Sequence, residues 1–312
     1  MTRMFSSASR RDFFRKLGYG AAALIPMRSA RSVLGLLGAA DAIQFGYAAI
    51  TWGGDDERAI DDISALGFPG IQLRASVLTK FGDRPQELRD LLAAHHLTFV
   101  ALSSGNVPID PATQAQVIDE HASHAKFLHD AGGLYLQLID ERPKGRPVEA
   151  ADARRLGRLL TEIGKRVSDA GVRAVYHPHM GSIGEKPNDI DRVLDTMDPK
   201  SVGLLLDVAH YQVGGGDPVA AIRRHAERLS LLHIKDVRRP VRESGPSYEF
   251  VELGQGTVDL RGVFAALRDV KYRGWAVVEL DDVPDHARTP KDAAAISKRY
   301  LQDVVGVRVA SG

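Results

Sequence analysis

Four residues able to hold a divalent cation stand at the ends of short apolar runs. His177 follows Val172–Tyr176, Asp207 follows Val202–Leu206, His233 follows Leu229–Leu232, and Glu279 follows Gly274–Val278. Two imidazoles and two carboxylates suit a borderline ion, Mn2+ first, with Co2+, Fe2+, Zn2+ or Mg2+ as alternatives. The two carboxylates would balance the 2+ charge and leave positions for substrate oxygens. Cysteine is absent, so thiolate ligands, thiol catalysis and disulfides are excluded.

Groups able to move protons lie close by in sequence. His179 is two residues past His177, His210 is three past Asp207, and Lys235 is two past His233. A histidine exchanges protons near neutral pH, and a lysine beside a cation can be tuned to donate to or accept from a substrate oxygen. The plainer roles are a hydrogen bond from His210 to a ligand carboxylate, a structural His179, and a Lys235 that neutralises Asp236. Trp52, Gln72, Arg74, Asn106 and Gln137 also fall at strand tips and could bind a sugar, with Trp52 stacking on its face or plugging the core. His95, His96, His121, His124, His129, His225 and His286 read as surface residues.

The elements that must position these groups repeat along the chain. Apolar strand runs open at Ile43, Gly70, Leu97, Gly133, Val172, Val202, Leu229 and Gly274. Helical patterns separate them, with Asp55-Asp56 capping one, Pro85 opening another and Gly171 ending a third. Eight strand–helix units predict a single (β/α)8 barrel over residues 43–312, in which the strand tips converge on one mouth. A doubly wound open sheet would call for a glycine-rich phosphate turn after an early strand, and the sequence has none.

Composition narrows the function. The 312 residues are 44% hydrophobic and 26% charged, with a net charge of +1, so no nucleic-acid partner is expected. No apolar run reaches the roughly 18 residues of a membrane span. The expected partner is a small carbohydrate; a homo-oligomer is compatible with the sequence but not demanded by it. At the N-terminus, Ser9-Arg10-Arg11-Asp12-Phe13-Phe14-Arg15-Lys16 resembles a twin-arginine export signal, and Ala40-Asp41-Ala42 resembles a cleavage site. Residues 1–42 are therefore read as a signal and the protein as periplasmic, or cytoplasmic if the signal is not functional. The excursion Arg238–Gly256 is long for a compact barrel and is expected to fold over the mouth.

The motifs Leu206-Asp207-Val208-Ala209-His210, His233-Ile234-Lys235-Asp236-Val237, Leu253-Gly254-Gln255-Gly256-Thr257-Val258-Asp259 and Tyr272-Arg273-Gly274-Trp275 leading to Glu279 carry a resemblance. From about Ile43 to Leu301 the chain resembles the xylose isomerase-like barrel family, also called sugar phosphate isomerases/epimerases. Within it, Ile50-Thr51-Trp52-Gly53 and Tyr176-His177-Pro178-His179-Met180-Gly181 are most similar to inosose dehydratases. The resemblance implies a metal at Asp207, His233 and Glu279, and a lyase or isomerase that removes a proton alpha to the carbonyl of a keto-sugar or keto-cyclitol. Many members carry Glu where this chain has His177, so His177 and His179 compete for the fourth ligand position. Related barrels cleave 3-keto-glycosides, and some of those carry export signals. The alternatives are a sugar isomerase or epimerase and a non-catalytic carbohydrate-binding barrel.

Overall fold

The computed structural model describes residues 43–239 and 247–309. The export-signal reading falls on 1–42, outside the described residues. Eight parallel strands close into a barrel: β1 (Ile43–Ala48), β2 (Gly70–Arg74), β3 (Thr98–Val107), β4 (Tyr135–Asp140), β5 (Arg173–His177), β6 (Val202–Asp207), β7 (Leu229–Ile234) and β10 (Gly274–Val278). Each strand pairs with its neighbours in chain order, and β1 closes on β10 with Ile43 opposite Gly274. The expected (β/α)8 architecture is therefore present.

A strand alternates its side chains between two faces, and here that period sorts the core into two layers. Val175, Leu205, Leu231 and Val277 share one buried cluster with Trp275 and Val100. Two residues further along the same strands come His177, Asp207, His233 and Glu279. Alternation therefore places each polar tip one step above an apolar residue of that cluster. A second, larger cluster joins the intervening strand residues to the helices, for example Leu156, Leu160 and Ile163 of the helix Ala150–Asp169. Gly70 admits this packing: a Cβ there would lie 2.4 Å from Trp275 Cζ3 and 2.5 Å from Val100 Cγ2.

The short elements were not anticipated. The first strand run was expected to reach Ile50, but it stops at Ala48 and turns into a 3-10 segment, Ala49–Trp52. Two short strands, β8 (Asp236–Arg238) and β9 (Glu249–Val251), pair antiparallel beyond β7. They hold the described part of the Arg238–Gly256 excursion; residues 240–246 lie outside the described residues. Among the described residues, no helix is long and apolar enough to cross a membrane.

Two histidines depart from the surface reading. His121 is buried between β3 and the helix Gln114–Asp130, where its Nδ1 meets Ser104 Oγ at 2.7 Å. His225 is buried 3.5 Å from Asp191. Both fell on helical patterns whose inward face the spacing of histidines alone does not mark.

Candidate active site

Asp207 ends β6 and also caps the short helix Val208–Val213. Its Oδ1 accepts from the backbone N–H of Ala209 at 2.8 Å and of His210 at 2.9 Å. Capping uses one oxygen and fixes the carboxylate's orientation. The other oxygen, Oδ2, is buried without a hydrogen-bond partner. It lies 3.7 Å from His233 Nδ1, the residue directly across the β6–β7 ladder. His233 Nδ1 is in turn 3.3 Å from Glu279 Oε1. His177 joins them from β5, its Nδ1 also buried and unpartnered.

The ligand atoms of His177, Asp207, His233 and Glu279 all lie within 4.8 Å of one another, and all four residues are buried. Buried polar atoms without partners are costly, and here three of them, His177 Nδ1, Asp207 Oδ2 and His233 Nδ1, converge beside Glu279. That geometry and donor set fit a divalent cation.

The charges in the cluster explain its titration. Burial alone would lower His233, but Glu279 and Asp207 outweigh it and raise His233 to about 9. Burial would raise Glu279, yet His233 and Lys235 hold it well below the usual carboxylate range. Burial drives His177 and His210 well below the ordinary imidazole value, keeping both neutral. Lys235 is fully buried; burial would lower it, and Glu279, Asp281 and Asp207 together raise it instead. Its Nζ donates to Glu279 Oε1 at 3.1 Å and to Asp281 Oδ1 at 2.5 Å. Lys235 therefore bridges two carboxylates. The aromatic ring of Phe250, brought in by β9, lies 4.1 Å from Lys235 Nζ and 4.8 Å from the His210 ring.

Lys235 does not neutralise Asp236. The Asp236 carboxylate accepts from the backbone N–H groups of Val237, Gly254, Gly256 and Val258 and so ties the Leu-Gly-Gln-Gly turn to β8. Asp140 does the same beside β5. It accepts from Tyr176 Oη at 2.9 Å, Ser182 Oγ at 3.0 Å and the N–H groups of Ile183 and Gly184, which fixes the turn after His179.

A cleft of about 280 Å3 opens beside the four ligands, lined in part by Gln72, Arg74, Asn106, Gln137, His177 and His179. That is the size class of a small-molecule site. Gln137 is buried with its Oε1 unpartnered and its Nε2 weakly held, 3.4 Å from Ser103 Oγ. Arg74 and Asn106 are exposed at the rim. Gln72 reaches the cleft, but both ends of its amide are engaged by His233 and Glu279. Trp52 does not line it. Its indole Nε1 donates to Asp62 Oδ2 at 3.1 Å and its ring packs edge-on against Tyr47, so the stacking and plugging roles both fall away. The residue in the barrel interior is Trp275.

Three polar lining residues were not among the candidates read from the sequence: Ser76, Ser103 and Asp281. Ser76 sits in a 3-10 segment, Ser103 lies on β3, and Asp281 follows the end of β10. Asp281 faces the cleft, with burial raising its carboxyl against the opposing pull of Lys235. The signal that could have found it is its position two residues past a strand-tip Glu.

A sequence model of the xylose isomerase-like TIM barrel matches residues 60–303. The chain belongs to the xylose isomerase-like TIM barrel family. An inosose dehydratase of Lacticaseibacillus casei is 28% identical over 300 residues, covering 85% of this chain and 98% of its own. Among solved structures, this family member resembles the IolI protein with a bound zinc atom (TM-score 0.72, 19% identity, 84% of this chain and 98% of that one). It also resembles a D-psicose 3-epimerase from Clostridium cellulolyticum H10 (TM-score 0.70, 16% identity, 84% and 99%). At these identities the structural likenesses speak for the fold.

Proposed function

We propose that this barrel is a metal-dependent dehydratase acting on a keto-cyclitol or a related keto-sugar. The observation that carries the reading is the buried four-ligand cluster opening onto a cleft that also presents His179. Kinship with inosose dehydratases supports the dehydratase outcome. His177, Asp207, His233 and Glu279 would hold the cation, with Mn2+ the proposed ion. When bound, it supplies Lewis-acid stabilisation of the negative charge that develops on the substrate's carbonyl oxygen.

The chain's own groups do the rest. His179 Nδ1 donates to Met180 O at 2.7 Å, which leaves Nε2 with its lone pair and fixes this ring as an acceptor. From the cleft wall, it is placed to take the proton alpha to the carbonyl. The C–H electron pair becomes the new C=C bond and the beta C–O bond breaks. In its protonated form, which burial favours, Asp281 would give its proton to the departing oxygen, which leaves as water, and the carboxylate so formed is held by Lys235 Nζ. Gln137, Arg74 and Asn106 orient the ring hydroxyls. His210 is buried and neutral beneath Phe250, farther from the cleft.

The test is mass spectrometry of inososes and 3-keto-glycosides incubated in D2O with the Mn2+-loaded protein. Loss of water supports the dehydratase, and loss of an aglycone transfers the same chemistry to glycosides. Deuterium uptake without mass loss would replace the dehydratase with an isomerase or epimerase. No change with any substrate, together with no bound metal, would leave a carbohydrate-binding barrel. The Arg10-Arg11 pair supports a further proposal, export to the periplasm after folding; cell fractionation of the Arg10→Lys, Arg11→Lys variant tests it.

A further inference from the structure

Register places three polar residues side by side on the arc of the barrel that carries none of the four candidate metal ligands. Arg74 pairs with Ser103 across the β2–β3 ladder, and Ser103 pairs with Gln137 across the β3–β4 ladder. Paired residues on neighbouring strands point to the same face. All three line the cleft, whereas Leu136 and Leu138, on either side of Gln137, pack outward with the helices. The row deepens along its length: Arg74 is exposed, Ser103 is half-buried and Gln137 is only 2% exposed. On its other side Gln137 faces Val175 of the apolar layer, which offers its amide no partner. Its Nε2 lies 3.4 Å from Ser103 Oγ, and its Oε1 is buried without a hydrogen-bond partner. An amide oxygen held this way costs free energy until a donor reaches it.

We propose that Gln137, with Ser103 beside it, is the specificity-determining residue of the cleft and selects a substrate with a free ring hydroxyl on the side away from the metal ligands. Ketone and ether oxygens carry no proton and cannot satisfy Oε1; a hydroxyl can. With the amide turned over, the hydroxyl would accept from Nε2 instead, so it is matched in either orientation. A phosphate or carboxylate would bring its charge to a buried neutral amide and lose water without meeting a cation there. A hydrogen or an O-alkyl group in the hydroxyl's place leaves the amide buried and unpaired, which is how a polar site rejects an analogue. The substrate class is thus a polyhydroxylated ring left unmodified at that position. This selection rests on the keto-cyclitol or keto-sugar reading above, and adds which hydroxyl such a substrate must keep.

The test uses the full-length, Mn2+-loaded chain. Calorimetry measures binding of myo-inositol, a polyhydroxylated ring with no carbonyl, to the wild type and to Gln137→Leu. The wild type should bind it, and the variant should bind about 10- to 100-fold more weakly while keeping one Mn2+. Alpha-proton exchange in D2O is then compared for an inosose and for its derivatives lacking one ring hydroxyl each. One derivative should react at least about 10-fold more slowly than the parent on the wild type, and that difference should vanish in Gln137→Leu, the coupling expected of a direct contact. A merely structural role would slow every derivative alike. A wild-type crystal soaked with myo-inositol needs no variant to fold, and should show a ring hydroxyl within hydrogen-bond distance of the Gln137 amide. No binding of myo-inositol by the wild type, equal affinity in the variant, or a ring seated away from Gln137 overturns the proposal. Binding at Gln137 with no exchange or water loss from any inosose would overturn the dehydratase reading and leave the hydroxyl site standing; turnover without coupling at Gln137 would do the reverse.

Discussion

Gln72 determines which nitrogen of His233 faces the candidate metal ligands. The Gln72 Nε2 donates to Glu279 Oε2 at 3.2 Å, because a carboxylate can only accept. The amide oxygen is thereby turned to His233, where it accepts from Nε2 at 2.9 Å. His233 Nε2 must carry a proton, which leaves Nδ1 to face Asp207 and Glu279. Gln72→Leu should keep the fold and lower Mn2+ affinity by roughly 10- to 100-fold, the usual cost of losing an orienting partner. Calorimetric titration checks it; unchanged affinity would remove Gln72 from this role.

Glu279→Gln keeps the shape of the side chain and removes a charge from a buried ligand set. Turnover should disappear and Mn2+ binding should weaken sharply. Near-normal activity in this variant would take Glu279 out of the metal cage.

His179→Ala removes the proton acceptor on the cleft wall but leaves the four-ligand set intact. Exchange of the alpha proton with D2O should slow by about 10^2- to 10^4-fold, the range attributed to a positioned base. Binding of one Mn2+ should persist. Loss of Mn2+ together with exchange would instead make His179 the β5 ligand in place of His177.

Acid should weaken the protein through His121. Burial, aided by the nearby His124, lowers His121 from 6.5 to about 4. Between these pH values the unfolded chain binds a proton that the folded protein refuses. The stability is therefore fully present above pH 6.5 and falls as pH drops toward 4, by on the order of 3 kcal/mol. Urea unfolding at pH 7 and pH 4.5 measures this, and His121→Leu should flatten the difference between the two.

Asp236→Ala should destabilise the chain by about 3 kcal/mol, since it strands several backbone N–H groups near β8 at once. Thermal unfolding reads the loss, and limited proteolysis should locate it at residues 252–258. An unaltered melting temperature would show that water replaces the carboxylate there.

The strand tips were legible because alternation and apolar runs are local signals. His177, Asp207, His233 and Glu279 each follow a run that can be read without knowing the fold. Gln72 was visible as a polar tip, but its engagement by His233 and Glu279 depends on residues far away in the chain. Trp52 looked like a sugar platform because the 3-10 turn that swings it toward Asp62 has no clear sequence mark. Asp236 looked like a partner for Lys235 because adjacency in sequence suggests it. The strand period instead sends consecutive side chains to opposite sides, so Lys235 meets Glu279 and Asp281 while Asp236 meets the loop. His121 was misplaced because one polar residue on a helix face says little about which face is inward.

The pairing of Ile43 with Gly274 has a bearing on how the protein is made. The barrel's first strand can pair with β2 early, but it finds its second neighbour only after β10 has been synthesised, and Glu279 lies just past that strand. A chain still emerging from the ribosome thus has at most three of the four ligands. The cage is completed in one late, long-range event of the kind that folds slowly. The ion it first captures is set by the metal supply of whichever compartment the chain occupies when the seam closes.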